Sequence, residues 1–364
     1  MKPIESGASP NIMSFLFINV ARIGDTLLAT PAMRAVAASF PGCSITALGH
    51  PKRVEVLEGL PFLDRVAGIT KNSAPWRGWF GGRRYNYAFV YGLDEALVAY
   101  ALRVADRVVA YQQKSEALNR RLYCRVPKAP THTKHAVEHA LSLVDAVGIP
   151  AAGLRLAYHV SSDEVANARK RLAVDLPTGV SLLVGLHVAT FPKKTWRRWP
   201  VEHFSSLAER IAGEWPGAHF LIFGGDEEPD RVRWLADRLS KRATLYAGRL
   251  NLRESVALMS LTDLYVGLDT GPTHLMSAFD VPMVTLHHCL IPSRLIAPLD
   301  HPCCYTIDHP QHNQDGCTEE ASIAEIDVET VFSVVKRALT DHPPKLRRYS
   351  PLPSQTPVAV RDIQ

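Results

Sequence analysis

The chain reads as an α/β protein of two domains, each a parallel sheet flanked by helices. Three observations predict this. Short apolar runs alternate with helical stretches along most of the chain, the pattern of repeated β–α units and therefore of parallel strands. Several runs end at turns that lead directly into a helix, as at Val20–Asp25 and Asp269–Gly271. At 364 residues the chain exceeds what one core usually serves, so two domains are the natural division.

In order, residues 1–12 read as a loose tail and 13–160 as the N-terminal domain. Ser14–Asn19 (SFLFIN) is the first strand, and a helix over Thr26–Phe40 follows, with Leu27, Leu28, Met33 and Val36 apolar; Pro41-Gly42 ends it. Strands are expected at Ser44–Leu48, Arg65–Ile69, Tyr87–Tyr91 and Arg107–Ala110, with short helical turns between them. His135–Val147 is an amphipathic helix closed by Gly148. Leu154–Tyr158 reads as a connecting strand near the boundary at 150–162. The second domain, 161–340, opens with a charged helix over Asp163–Leu172. Strands follow at Ser181–Leu186, His219–Phe223, Ala243–Tyr246, Leu264–Leu268 and Met283–Leu286, with helices between and a last helix over Ile323–Leu339. Residues 341–364 carry five prolines and read as disordered.

Composition fits a soluble globular protein: 46% hydrophobic and 21% charged, with no apolar run near the ~20 residues that span a bilayer. Met1–Asn11 lacks the charged-then-apolar layout of a signal peptide, so a cytoplasmic location is expected. Charge is uneven. To residue 160 there are 19 Lys+Arg against 11 Asp+Glu (+8), and beyond it 22 against 25 (−3). A basic first half points to an acidic partner: nucleic acid, anionic lipid or a phosphorylated small molecule; a solvated surface gives the same count. Six cysteines in a chain this long do not read as a disulfide framework. Cys289, Cys303, Cys304 and Cys317 lie among five histidines, but no CxxC pair occurs and the spacing matches no zinc pattern, so scattered buried or loop residues are expected and no metal.

Four stretches carry candidate chemistry. Leu264–Leu268 runs into Asp269-Thr270-Gly271, with Pro272 suited to a first helical position and Leu275, Met276 and Phe279 as the buried face. Free N–H groups at a helix start welcome an anion, and Thr270, Thr273 and His274 add donors. The stretch is either a diphosphate cradle or an ordinary turn capped by Asp269. In Val20–Asp25, Gly24 permits a sharp turn, and Asp25 is either a cap or a general base within reach of an acceptor hydroxyl. The segment His187–Pro200 sets Thr190 and Thr195 among four cations, a composition suited to a diphosphate. Trp76–Tyr85 interleaves aromatics with Arg77, Arg83 and Arg84, and Arg120 and Arg121 follow; such a loop holds an anionic sugar or a membrane surface, or packs structurally with solvated charge. No GxGxxG or Walker pattern occurs.

Three blocks together resemble glycosyltransferase family 9, the heptosyltransferases of lipopolysaccharide core synthesis. They are Arg22–Pro31 with Phe40-Pro41 and Gly59–Val66; Lys193–Pro200 with Glu202, Phe204 and Leu207; and Asp269–Leu275 with Ala278 and Pro282. Order and spacing fit over roughly residues 13–340. The resemblance implies the GT-B architecture, two Rossmann-like domains facing a central cleft, and inverting transfer of a sugar from a nucleotide donor, ADP-heptose, with no metal and no cofactor. Asp25 matches the family's general base. Thr190, Lys194, Arg197, Asp269, Thr270, Gly271, Thr273 and His274 become donor-binding residues. Arg22, Gly24, Arg83, Arg84, Arg120 and Arg121 become acceptor-binding residues. The implied partner is an anionic glycolipid at the inner leaflet, with peripheral membrane contact and no nucleic acid. The middle block departs from the pattern: the family's Lys shortly before Trp-Pro is replaced by Arg197-Arg198, with Lys193 and Lys194 upstream. A transferase using another nucleotide sugar, a sugar-nucleotide epimerase and a non-catalytic binder are the competing readings.

Overall fold

A computed structural model describes residues 12–80, 82–130, 132–188, 195–224, 229–312 and 316–345. Among the described residues, twelve strands form two six-stranded sheets. The first contains β1 (Ser14–Asn19), β2 (Ser44–Gly49), β3 (Arg65–Gly68), β4 (Tyr85–Val90), β5 (Ala105–Tyr111) and β6 (Cys124–Val126). The second contains β7 (Leu182–His187), β8 (Ala218–Phe223), β9 (Ala243–Leu245), β10 (Leu264–Leu268), β11 (Met283–His287) and β12 (Cys304–Asp308). Every pairing is parallel. The spatial orders are β3-β2-β1-β4-β5-β6 and β12-β11-β10-β7-β8-β9. Both are the same doubly wound order, reversing direction between its first and fourth strands, and ligands of such sheets bind beyond the carboxyl ends at that reversal. In this chain the two reversal points are the ends of β1/β4 and of β7/β10.

The central strands are apolar because both faces are covered. Phe15, Leu16, Phe17 and Ile18 of β1 are fully buried, and Phe17 stacks on Phe89 of β4 at 5.0 Å between ring centroids. One continuous apolar cluster joins Phe15, Leu27 and Met33 to Leu275, Met276 and Met283, so the two sheets share buried surface. Arg155 adds polar ties across the joint, donating to the Ser277 carbonyl at 3.0 Å and pairing with Asp280 at 2.7 Å.

The structure corrects the sequence reading in several places. The helix expected over Thr26–Phe40 is two, Ile23–Leu27 and Thr30–Ser39. Pro31 has no N–H for the Leu27 carbonyl, and the Thr30 hydroxyl takes that carbonyl at 2.7 Å. Leu154–Tyr158 is not a strand. The last helix is Val328–Asp341, preceded by a separate 3₁₀ turn at Ile323–Glu325. The helix Glu95–Val104, strand β6 and strand β12 go beyond the sequence reading. The helix packs Leu97, Val98, Ala101 and Leu102 inward, while β6 is three residues long and β12 only partly buried. Cys289 and Cys317 are disulfide-bonded, against the expectation of scattered cysteines. The tail at 346–364 lies outside the described residues.

Candidate active site

The two reversal points meet. On the N-terminal side, β1 ends at Asn19, whose side-chain amide donates to the Asp25 carbonyl at 2.9 Å and so ties the following turn to the strand end. Thr26 closes the turn by donating its hydroxyl to the Arg22 carbonyl at 2.8 Å. Asp25 lies in the first turn of Ile23–Leu27, but Arg22 is the N-cap and no side chain caps. The Asp25 side chain is exposed, while Gly24 and Thr26 on either side are buried.

At Gly24 the backbone of one domain packs directly against a side chain of the other. A Cβ at this position would lie 2.5 Å from Cδ2 and 3.2 Å from Nε2 of the His274 imidazole. Only glycine lets the Asp25 turn approach that ring. Across the same contact a Cβ on Gly271 would lie 3.5 Å from Ile23.

On the C-terminal side, β10 delivers Asp269 and Thr270 into the short helix Gly271–Met276. Asp269 is buried, and its carboxylate accepts from the Arg197 guanidinium, which also donates to the Asp269 carbonyl. Nε2 of His274 stands 3.4 Å from the other carboxylate oxygen. Burial pushes this carboxyl's pKa up, but the hydrogen bond with His274 and the charge of Arg197 outweigh it and hold it at about 2. Two further histidines end the flanking strands: His187 on β7, whose Nδ1 is 3.4 Å from the Thr270 hydroxyl, and His287 on β11. Burial holds the His187 imidazole down at about 4 and lowers that of His287 as well, so His187 is neutral at pH 7.

The predicted residues divide accordingly. Asp25, Gly24, Arg22, Asp269, Thr270, Gly271 and His274 are brought to one place. Thr273 is not free to meet a ligand: its hydroxyl donates to the Leu268 carbonyl beside the Tyr265 hydroxyl and braces the strand end. Arg197 is buried and spent on Asp269 rather than presented to a diphosphate. Thr190, Lys193 and Lys194 lie outside the described residues. Arg83 and Arg84 precede β4, at the amino edge of the first sheet, opposite the edge that carries Asp25. Arg83 pairs there with Asp106 at 3.5 Å. Arg120 and Arg121 are exposed, with Arg121 close enough to Arg103 for their charges to oppose. In the loop that leads to Arg83 and Arg84, Trp76, Trp79 and Phe80 are 85%, 65% and 92% exposed. A cavity of about 390 Å³ beside them is lined by Arg65, Arg77 and Arg84 with no carboxylate among its walls. His187, His287 and Asn19 were not singled out as site residues in the sequence; each is the last residue of its strand, which was the available signal.

Known proteins resemble this chain in sequence and in fold. A lipopolysaccharide heptosyltransferase 3 of Escherichia coli is 21% identical over 282 residues, 72% of this chain and 80% of its own length. A glycosyl transferase family 9 structure from Veillonella parvula superposes with a TM-score of 0.77 at 16% identity, covering 92% of this chain and 100% of its own. The E. coli heptosyltransferase WaaC solved with ADP superposes at 0.66 and 18% identity, covering 90% and 100%; the same enzyme is known with ADP-2-deoxy-2-fluoro heptose. The two facing Rossmann-like sheets are thus a GT-B fold. Residues 83–306 match the model of glycosyltransferase family 9 (heptosyltransferase), and the chain belongs to that family of glycosyltransferases.

Proposed function

We propose that the protein transfers a heptose from ADP-heptose to a lipopolysaccharide core acceptor, inverting the anomeric carbon and using no metal. The observation that carries this reading is the direct packing of the Asp25 turn against the Asp269–His274 turn through Gly24. An exposed carboxylate on one domain thereby stands beside the reversal point of the other, where a nucleotide sugar is expected. The relatives' bound ADP and ADP-sugar support the choice of adenine nucleotide.

In this mechanism an acceptor hydroxyl, held by Arg22 and the Gly24 turn, attacks the anomeric carbon from the face opposite ADP. Asp25 takes its proton as the new bond forms and the sugar–phosphate bond breaks. Negative charge then grows on the departing diphosphate, and donors already in place stabilise it without reorganising. The backbone N–H groups of Thr270 and Gly271 supply part of this. Since Arg197 is engaged by Asp269, Lys194 with Thr190 is the better assignment for direct diphosphate contact. Asp269 and Arg197 act as a brace that fixes the turn, with His274 between that brace and Asp25.

The acceptor is an anionic glycolipid, and the enzyme works at the cytoplasmic face of the inner membrane. The exposed Trp76, Trp79 and Phe80 amid Arg65, Arg77, Arg83 and Arg84 support a peripheral contact, since aromatic and basic groups together suit an anionic membrane surface. No helix among the described residues is long and apolar enough to cross one. Calorimetric titration with ADP-heptose, ADP, UDP and GDP, with and without Mg²⁺, tests the donor. Selective, metal-independent binding of the adenine nucleotides is expected; preference for uridine or guanosine nucleotides overturns the heptose assignment and leaves a transferase of another sugar.

A further inference from the structure

The sequence sets four cysteines within 289–317, but the fold divides them. Cys303 and Cys304 stand at the amino end of β12. His288 and Cys289 follow the carboxyl end of β11, and Cys317 comes after β12 has run to that same edge. The pairing of β11 with β12 therefore brings His288, Cys289 and Cys317 together and leaves Cys303 and Cys304 at the far edge. The ligand atoms of the three lie within 4.8 Å of one another, and His288 and Cys289 are buried.

The imidazole is arranged as a metal ligand's would be. Nε2 of His288 faces the Ala321 carbonyl at 2.8 Å, while Nδ1 accepts from the Leu290 N–H at 3.2 Å. The ring proton is thus on Nε2, donated to a backbone carbonyl, and Nδ1 is left as the lone-pair nitrogen, held at present by the Leu290 N–H. Metal-bound histidines are oriented by this kind of outer contact. Nδ1 stands 3.7 Å from the Cys289 sulfur. Zn–N and Zn–S bonds at a tetrahedral angle separate nitrogen and sulfur by about 3.5 Å. A metal would displace only the long contact from Leu290. Cys317 is partly exposed, which leaves solvent access to the cluster.

We propose that His288, Cys289 and Cys317 form a binding site for a thiophilic divalent cation, Zn²⁺ being the representative, filled when the Cys289–Cys317 bond is reduced. The steps balance. A dithiol reductant converts the protein disulfide to two thiols and itself becomes a cyclic disulfide. The cation then takes both sulfurs as thiolates and releases two protons. The site lies beside the donor turn: Trp196, next to Arg197, packs on the His288 ring at 4.4 Å between centroids.

The test uses the full-length protein, reduced with dithiothreitol, desalted without oxygen and titrated with Co²⁺. One equivalent of thiolate-to-cobalt charge-transfer absorption is expected, bleached by Zn²⁺. Cys317→Ser should abolish it, His288→Ala should weaken binding at least about tenfold, and Cys303→Ser/Cys304→Ser should leave it unchanged. No absorption, or absorption that survives Cys317→Ser or disappears in Cys303→Ser/Cys304→Ser, overturns the proposal. A second reading avoids any folding defect of the variants: Zn²⁺ should protect Cys289 and Cys317 of the reduced wild type from alkylation but not Cys43 or Cys124. Equal labelling with and without Zn²⁺ overturns the proposal too.

Discussion

Arg197→Met tests whether Arg197 braces Asp269. The Asp269 carboxyl is buried and held at about 2, against an ordinary value of 3.8. At 1.36 kcal/mol per unit, its surroundings favour the charged form by about 2 kcal/mol, after burial has already opposed it. Removing the guanidinium takes away a main source of that preference and leaves a buried charge short of its partner. Breaking a buried pair from one side costs about 3–5 kcal/mol. Urea unfolding at pH 7, read as the shift in midpoint at constant m, should show a loss of that size. Adding Asp269→Asn to Arg197→Met should then recover a large part of that loss, because the stranded charge is gone. If Arg197→Met costs less than about 1 kcal/mol, as exposed pairs do, or the second substitution recovers nothing, the pair is not a brace. Arg197 would then again be a candidate for the diphosphate.

Three further outcomes follow from the same geometry. Asp25→Asn should reduce transfer by about 10²–10⁴-fold with ADP affinity nearly unchanged, by product formation against calorimetry; retained transfer removes Asp25 as the base. Gly24→Ala should cost about 1–3 kcal/mol by overpacking against a His274 ring that is itself buried, and should weaken transfer; wild-type stability in urea would show the contact to be soft. His187 is buried neutral with its pKa lowered from 6.5 to about 4, so the unfolded state binds the extra proton between those values. Its contribution is complete above pH 6.5 and should fall by up to about 3 kcal/mol as pH drops to 4. His187→Gln should flatten that part of the stability profile, and an unchanged profile refutes the assignment.

Much of the fold was legible because buried parallel strands show as apolar runs. Ser14–Asn19 and Leu264–Leu268 coincide with β1 and β10. The strands that escaped lack such a signal. Strand β12 (CYTID) is partly exposed, and its cysteines drew attention to themselves rather than to the strand. In the site, the Asp25 and Asp269 turns were legible because each joins a strand to a helix start. The commitment of Arg197 was not. A cation near a phosphate motif reads as a phosphate ligand, and nothing in the linear sequence says that residue 197 is buried against residue 269. Arg83 and Arg84 show the same limit. Their charge was visible, but the edge of the sheet on which they stand depends on the direction in which β4 runs.

That edge has a consequence for how an acceptor is held. The basic end of the aromatic loop, Arg83 and Arg84, forms a rim on the edge of the sheet opposite the Asp25 turn, separated from it by the length of β4, six residues or about 20 Å. A small soluble acceptor cannot touch both. A glycolipid at a membrane meets both only if the rim contacts the bilayer while the sugar end reaches the cleft, so the two contacts should separate experimentally. Trp79→Ala with Phe80→Ala should weaken binding to anionic vesicles and leave transfer to a delipidated core acceptor intact. Asp25→Asn should do the reverse. Were the aromatic pair to abolish transfer to the soluble acceptor, the rim would belong to the acceptor's sugar site, and the sheet edge could no longer be used to divide membrane contact from chemistry.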